Sequence, residues 1–163
     1  MKFSALKRSN FMETIGWVLA TWFGSGLSPK APGTIGSLCS LPLVLFGIYG
    51  GLNTLLGVIA VLFIIGLWAI NCVLKTQKEH DPGFVVIDET IGQSLTFVLA
   101  LPLGLTGWSI LYGFLLFRFF DIIKLWPASF FDGRVHNAFG VMMDDVIAGL
   151  YAAVVLYGIM FFI

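Results

Sequence analysis

The chain has 163 residues, of which 58% are hydrophobic and 11% are charged, and its formal net charge is zero. Ordinary soluble domains carry roughly 45–50% apolar and about 25% charged residues, so this composition predicts a single domain, residues 1–163, embedded in a membrane. A neutral chain has no general basic surface, which argues against a nucleic-acid partner. Cys39 and Cys72 are far apart, so neither a disulfide framework nor a cysteine zinc site is expected.

The first predicted element is an amphipathic helix that ends at Gly24-Ser25-Gly26. Its apolar residues recur at helical spacing on one face, and Glu13 lies largely off that face. The helix is predicted to lie in the cytoplasmic interface or to pack on the bundle. The alternative, a sixth membrane span, would invert the orientation of everything after it. The apolar face consists of Phe11, Ile15, Val18, Leu19, Trp22 and Phe23.

A loop rich in glycine, proline and hydroxyl residues follows at 24–37. Small residues let backbone N–H groups approach an anion, and the N-terminus of the next helix attracts it. Thr34 or Ser37 is expected to cap that helix. The loop contains no Walker-type motif and alone fits an ordinary capped turn. Opposite a metal site it would form a phosphate cradle, with Lys30, Thr34 and Ser37 as outer substrate contacts.

Three tracts without acidic or basic residues indicate the membrane spans: 31–74, 90–117 and 146–163. A spanning helix needs about 20 apolar residues, so the first tract holds two spans with a turn at 50–53, and the third holds one. The second tract holds two spans only if each borrows charged residues from its flank. The chain is therefore predicted to be an all-α, polytopic membrane bundle of about five spans. Every Lys and Arg then lies on one side, which the positive-inside rule places in the cytoplasm.

Five carboxylates lie inside or at the edges of these apolar segments. An ionised group there costs at least ~2.5 kcal/mol and is usually paired, metal-bound or functional. The predicted topology gathers all five at the cytoplasmic ends of three helices, where oxygen ligands from several segments suit Mg²⁺ best and Mn²⁺ or Ca²⁺ less well. Simple pairing with three nearby cations is the alternative, and it leaves negative charge uncompensated. The five are Asp88, Glu89, Asp121, Asp144 and Asp145.

A basic stretch at 118–136 is the third candidate element. Arg118, Lys124 and Arg134 are predicted to bind phosphate oxygens. His136 is a candidate general acid for a leaving alkoxide, because imidazole titrates near neutral pH, although an exposed loop histidine fits the sequence equally well. The dipeptide His80-Asp81 is a weaker candidate for assisting the site.

Several catalytic motifs are missing from the sequence. The chain has no cysteine phosphatase loop, no GxSxG elbow, no HExxH and no DxDxT/V aspartyl nucleophile. A covalent nucleophile is therefore not indicated. Water activated by a metal ion is the simplest attacking group for a phosphorylated substrate.

Four sequence blocks resemble the signature blocks of the phosphatidylglycerophosphatase A family: PGTIGS, VIDETIG, FRFFDIIK and GVMMDDVIAG. The resemblance implies a Mg²⁺-dependent lipid phosphatase of the bacterial inner membrane that converts phosphatidylglycerophosphate and water into phosphatidylglycerol and phosphate. It implies that the five acids are the acidic positions of the family motif, and no obligate protein partner is indicated. One departure is Leu125, where the family usually has proline after the lysine.

Two other functions stay open at this point. A divalent-cation transporter or channel component would also place acids in membrane segments, but its ligands are expected near the bilayer midplane with access from both sides. A membrane enzyme that acts on another lipid phosphate, a lipid pyrophosphate or a CDP-lipid would share the chemistry and differ in the substrate pocket.

Overall fold

The computed structural model describes residues 11–77 and 82–162, and all the regular secondary structure in these ranges is helical. The all-α prediction is thus confirmed for the described chain, whereas His80 and Asp81 lie outside it. The helices are α1 Phe11–Ala20, α2 Pro32–Tyr49, α3 Leu52–Leu74, α4 Ile87–Leu95, α5 Gly107–Ile123, α6 Ala128–Arg134 and α7 Ala138–Phe162, with short 3₁₀ turns at Ser25–Leu27 and Leu101–Leu103.

Within the described residues, three helices are long and apolar enough to cross a membrane: α2, α3 and α7, with 18, 23 and 25 residues. Large apolar side chains point outward from them, as at Ile64 (70% exposed) and Val154 (62% exposed), which is the pattern of a surface in contact with lipid. The helices α4 and α5 have only 9 and 17 residues. The structure supports a membrane protein, but the predicted count of five spans is not confirmed.

The bundle has two chemically different ends. The end where α2 turns into α3 is apolar, and the opposite end carries the acidic residues of α4, α5 and α7. The segment from α4 to the second 3₁₀ turn connects the two, since Asp88 lies at the acidic end and Ala100 packs at the apolar end. The buried cluster at the apolar end consists of Val44, Ile48, Leu55, Phe97, Ala100 and Leu156.

Local capping sets the starts of α5 and α7. Thr106 and Ser109 form a reciprocal capping box: the Ser109 N–H donates to Thr106 Oγ1 at 3.3 Å, and the Thr106 N–H donates to Ser109 Oγ at 2.7 Å. Asn137 accepts from the Gly140 N–H at 3.0 Å and begins α7 in the same way. Both starts can be read from the sequence as hydroxyl or amide residues before an apolar run.

The start of α2 differs from the prediction. The helix begins at Pro32, where the missing N–H is harmless, and Ala31 precedes it in a left-handed conformation without a side-chain cap. The expectation that Thr34 or Ser37 caps this helix is therefore wrong, because both residues lie inside it. Ser37 is instead buried within the bundle.

The helix α1 packs against the bundle. A Cβ added at Gly16 would lie 2.5 Å from the Cβ of Cys72 on α3. The carbonyl of Ala20 accepts a hydrogen bond of 2.9 Å from the Val86 N–H, just before α4. Both contacts agree with the predicted helix that packs on the bundle. They also fix the segment that leads into the first pair of acids. The helix is shorter than predicted, however, because it ends at Ala20, and Trp22 and Phe23 follow it in left-handed conformations.

A close glycine contact joins α4 to α7. A Cβ added at Gly149 would overlap the carbonyl oxygen of Gly92, and a Cβ added at Gly92 would lie 2.5 Å from the carbonyl oxygen of Asp145. The two backbones therefore touch, as small residues permit between membrane helices. Because both acidic pairs lie about one turn before these glycines, this contact sets the separation between the pairs.

Replacing Gly149 by alanine is expected to destabilise the protein by about 1–3 kcal/mol, because the added methyl group overpacks the contact with Gly92. Gly158→Ala in the same helix is the matched control, since nothing lies within 4 Å of an added Cβ there. The control should be neutral or stabilising by roughly 0.5–1 kcal/mol. Unfolding in detergent followed by circular dichroism measures both variants, and equal effects would contradict the close contact.

Candidate active site

The five predicted acids converge at one end of the bundle. They come from the first turn of α4, the last turn of α5 and the second turn of α7, and each is at most 9% exposed. The charge of Asp145 interacts with those of Asp121, Asp88 and Asp144. The convergence of separate helices on one acidic cluster is thus seen in the structure. The cluster consists of Asp88, Glu89, Asp121, Asp144 and Asp145.

One arginine links three helices within this cluster. Arg118 Nη1 lies 3.1 Å from Glu89 Oε2 and 2.9 Å from Asp121 Oδ2. It also donates to Ser37 Oγ at 3.3 Å, and Ser37 Oγ donates to Glu89 Oε2 at 2.9 Å. Charge-assisted hydrogen bonds of this kind are stronger than neutral ones. The guanidinium therefore holds α2, α4 and α5 in one arrangement.

The first turn of α2 approaches the Arg118–Glu89 pair very closely. A Cβ added at Gly33 would overlap Glu89 Oε1 and would lie 2.9 Å from Arg118 Nη2. Only glycine fits this approach. The first N–H groups of a helix have no acceptor within it, so the turn also brings unpaired donors toward the acidic end. The close approach explains why the second residue of the PGTIGS block, Gly33, is a glycine.

A lysine makes the second set of ion pairs. Lys124, just after α5, has its Nζ 2.6 Å from Asp144 Oδ2 and 2.5 Å from Asp132 Oδ1. Burial lowers the pKa of Lys124, but the carboxylates of Asp144 and Asp132 outweigh burial and hold the pKa above its ordinary value. Lys124 therefore stays protonated at physiological pH. It joins the ends of α5, α6 and α7, as Arg118 joins α2, α4 and α5.

Two acids in the cluster lie close to each other on different helices. The carboxyl groups of Asp121 and Asp145 are within hydrogen-bonding reach, on α5 and α7. Like charges at this distance disfavour joint ionisation unless a proton or a cation lies between them. The first acid of each pair accepts a backbone bond of 2.9 Å from its neighbour, Asp88 from Glu89 and Asp144 from Asp145. The cluster is held locally as well as between helices.

The donor set of the cluster fits Mg²⁺, although no ready coordination shell is present. Five buried carboxylates lie together, three of them paired with Arg118 or Lys124, and hard oxygen ligands are those that Mg²⁺ prefers. Within residues 11–77 and 82–162, no three acidic, histidine or cysteine side chains stand in a metal-binding arrangement. Several carboxylate oxygens are held by the two cations instead. Mg²⁺ binding stays a prediction, and it requires some carboxylates to turn away from their present partners.

Four other predicted site residues are exposed or only half-buried, unlike the five acids. Arg134 is exposed, and its guanidinium lies over the ring of Phe130, 6.0 Å from the centroid, with no ion pair in the described chain. The structure thus does not bring Arg134 to the acids. His136, between α6 and α7, and Lys30, before α2, are also exposed, and Thr34 is half-buried in α2. Their roles stay predictions.

Two residues that shape the cluster are not among the predicted site residues. Gly33 is one of several glycines in the loop, and its position between Pro32 and Thr34 at a helix start is the sequence signal that distinguishes it. Asp132 lies eight residues after its partner Lys124 and beyond a helix break, so no periodic pattern links them.

Comparisons with known proteins identify the family. The phosphatidylglycerophosphatase A family matches residues 18–160. Phosphatidylglycerophosphatase A of Escherichia coli (strain K12) is 39% identical over 154 residues, covering 94% of this chain and 86% of the relative. The Haemophilus influenzae protein of the same name is 37% identical over 159 residues, covering 96% and 94%.

A Bacteroides thetaiotaomicron protein, provisionally named a phosphatidylinositol-3-phosphatase, is 35% identical over 160 residues, covering 93% of this chain and 95% of the relative. No solved structure matches the chain. The family match covers most of the chain and includes the three helices that carry the acidic cluster. The chain belongs to the phosphatidylglycerophosphatase A family and is a lipid phosphatase.

Proposed function

We propose that this protein hydrolyses the phosphomonoester of phosphatidylglycerophosphate in a Mg²⁺-dependent reaction, giving phosphatidylglycerol and phosphate. The buried cluster of acids and cations at one end of an apolar bundle carries the proposal, in a chain whose relatives bear this activity in their names. A diacyl lipid with an anionic headgroup presents its phosphate at the bilayer surface. The acidic end of the bundle is the part of the protein that would meet this phosphate.

The five acids would hold the metal, and the two cations would bind the substrate phosphate. Bound Mg²⁺ would neutralise phosphate charge and favour deprotonation of the attacking water. Arg118 and Lys124 would turn from acids to phosphate oxygens, for which guanidinium and ammonium groups are suited. Lys30, Thr34 and Ser37 would provide outer contacts.

The reaction needs one base and one acid from the chain. Water attacks phosphorus in line with the glycerol oxygen, and one carboxylate of the cluster takes the proton of the water. The bond from phosphorus to the glycerol oxygen breaks, and the leaving alkoxide takes a proton, a role that His136 is proposed to fill. Inorganic phosphate and the free hydroxyl of phosphatidylglycerol result.

The proposed topology has five passes with the site facing the cytoplasm of a bacterial inner membrane. The segments 87–103 and 107–123 run between the same two ends as the three long helices, which supports two further passes. Basic residues of the described chain gather near the acidic end, as the positive-inside rule requires of the cytoplasmic side. They are Lys30, Lys75, Arg118, Lys124 and Arg134.

One alternative substrate class is favoured by a specific observation. The Bacteroides thetaiotaomicron relative is named for a phosphoinositide, a lipid with the same phosphomonoester chemistry on a different headgroup. The divalent-cation transporter is not favoured, because the acids gather at one end of the bundle and the chain belongs to a phosphatase family.

Purified protein in detergent is expected to release phosphate from phosphatidylglycerophosphate with Mg²⁺ and to lose the activity in EDTA, because the acidic cluster repels an anionic substrate without a cation. Phosphatidylinositol 3-phosphate in parallel tests the alternative headgroup. No metal-dependent release by folded protein would contradict the proposal.

The same assay in sealed inverted membrane vesicles tests which face of the membrane carries the active site, because the cytoplasmic face of these vesicles is outside. EDTA does not cross the bilayer, so adding it outside these vesicles should stop turnover if the site faces the cytoplasm. Turnover that resists external EDTA but stops on permeabilisation would place the site on the other face.

Gly33→Ala is expected to lower kcat by about 100-fold, since the added methyl group displaces Glu89 and Arg118 and misplacement by about 1 Å has effects of this size. Gly83→Ala is the matched control in the exposed link before α4, where nothing lies within 4 Å of an added Cβ. The control should keep its activity. Unchanged phosphate release by folded Gly33→Ala would show that the pair is not part of the working site.

A further inference from the structure

A fully buried glutamine without hydrogen-bond partners lies one turn after Glu89. Gln93 is 0% exposed, and neither its Nε2 nor its Oε1 has a partner within the described chain. A neighbouring polar residue behaves differently, since Ser94 Oγ donates to the Thr90 carbonyl at 2.7 Å. Burying an unpaired amide is unfavourable, and an apolar side chain of similar size would avoid the penalty. The unpaired amide therefore calls for a functional reason.

A second unpaired group belongs to Arg118. Its Nε is buried without an acceptor in the described residues, although its Nη1 reaches three partners. The two unpaired groups are complementary, because Arg118 Nε–H is a donor and Gln93 Oε1 is an acceptor. Gln93 Nε2 is a donor, and the Glu89 carboxylate one turn earlier is an acceptor, so these two groups are complementary as well.

Helix geometry directs Gln93 toward this pair. Residues four apart share a helix face, and helical side chains lean toward the N-terminus, which for Gln93 is the turn that carries Glu89. The neighbours of Gln93 and Arg118 also touch: a Cβ added at Gly92 would overlap the ring of Phe117. The α4 and α5 backbones are therefore adjacent at the level of the glutamine.

We propose that Gln93 is a positioning residue for the Arg118–Glu89 pair, an inference that rests on the proposed phosphatase function. When Arg118 turns toward a substrate phosphate, its contact with Glu89 weakens. The Gln93 carboxamide then takes over, directly or through one buried water, with Nε2 donating to the Glu89 carboxylate and Oε1 accepting from Arg118 Nε–H. The amide that is unpaired in the substrate-free arrangement is thus used in the substrate-bound one.

Gln93→Met tests the proposal because it keeps the size of the side chain and removes the amide. We expect kcat for phosphate release to fall by at least tenfold, while the unfolding temperature in detergent stays equal or rises. Ser94→Ala is the control for removing a buried polar group from the same helix, and it should keep wild-type kcat. Gln93→Asn keeps a shortened carboxamide and should retain more turnover than Gln93→Met.

The outcomes separate the two proposals. If the wild type shows no metal-dependent release, the proposed function fails, and the inference fails with it. If the wild type is active and folded Gln93→Met matches its kcat, the inference alone is overturned. Should Gln93→Met not fold, Gln93→Leu takes its place because it also removes the amide: a lowered kcat at unchanged KM supports the positioning role, and wild-type kcat refutes it.

Discussion

The burial of five carboxylates at one end of an apolar helical bundle is the constraint on which the rest of the structure depends. Arg118 and Lys124 are the described cations that pair with them, and each joins several elements: Arg118 contacts α2 and α4 from α5, and Lys124 contacts α6 and α7. Removing one partner from such a pair typically leaves an uncompensated buried charge and destabilises by about 3–5 kcal/mol. The ion pairs therefore define the geometry of the acidic end.

Glycine makes this geometry possible, because the acids can meet only if the helices carrying them come very close. Gly92 and Gly149 bring α4 against α7, and Gly33 brings the start of α2 against Glu89. Among the described residues, Arg118 and Lys124 form ion pairs with three of the five carboxylates, and a further cation would reduce the repulsion among all five. Any cation that binds only the folded protein would add to its stability by mass action.

The sequence was sufficient to predict the all-α class and the convergence of the acids. Ionised groups are expelled from the hydrocarbon core, so the positions of Asp88, Asp121 and Asp144 in the chain already limit where the helices can meet. The partners of the cations could not be predicted, because the contact of Lys124 with Asp132 depends on the turn between α5 and α6. The helix α2 starts at Pro32, earlier than Thr34 or Ser37 as a cap would predict, because hydroxyl residues are common both as caps and inside membrane helices.

The central claim is that acids from α4, α5 and α7 form one cation site, and Mg²⁺ binding without substrate tests it most directly. The unfolding temperature of the purified protein in detergent is measured against Mg²⁺ concentration, with Na⁺ at equal ionic strength as the control. The wild type should be stabilised by Mg²⁺, and Asp121→Asn and Asp145→Asn should each lose most of that stabilisation although they lie on different helices. Stabilisation retained in both folded variants, or matched by Na⁺, would contradict a shared site.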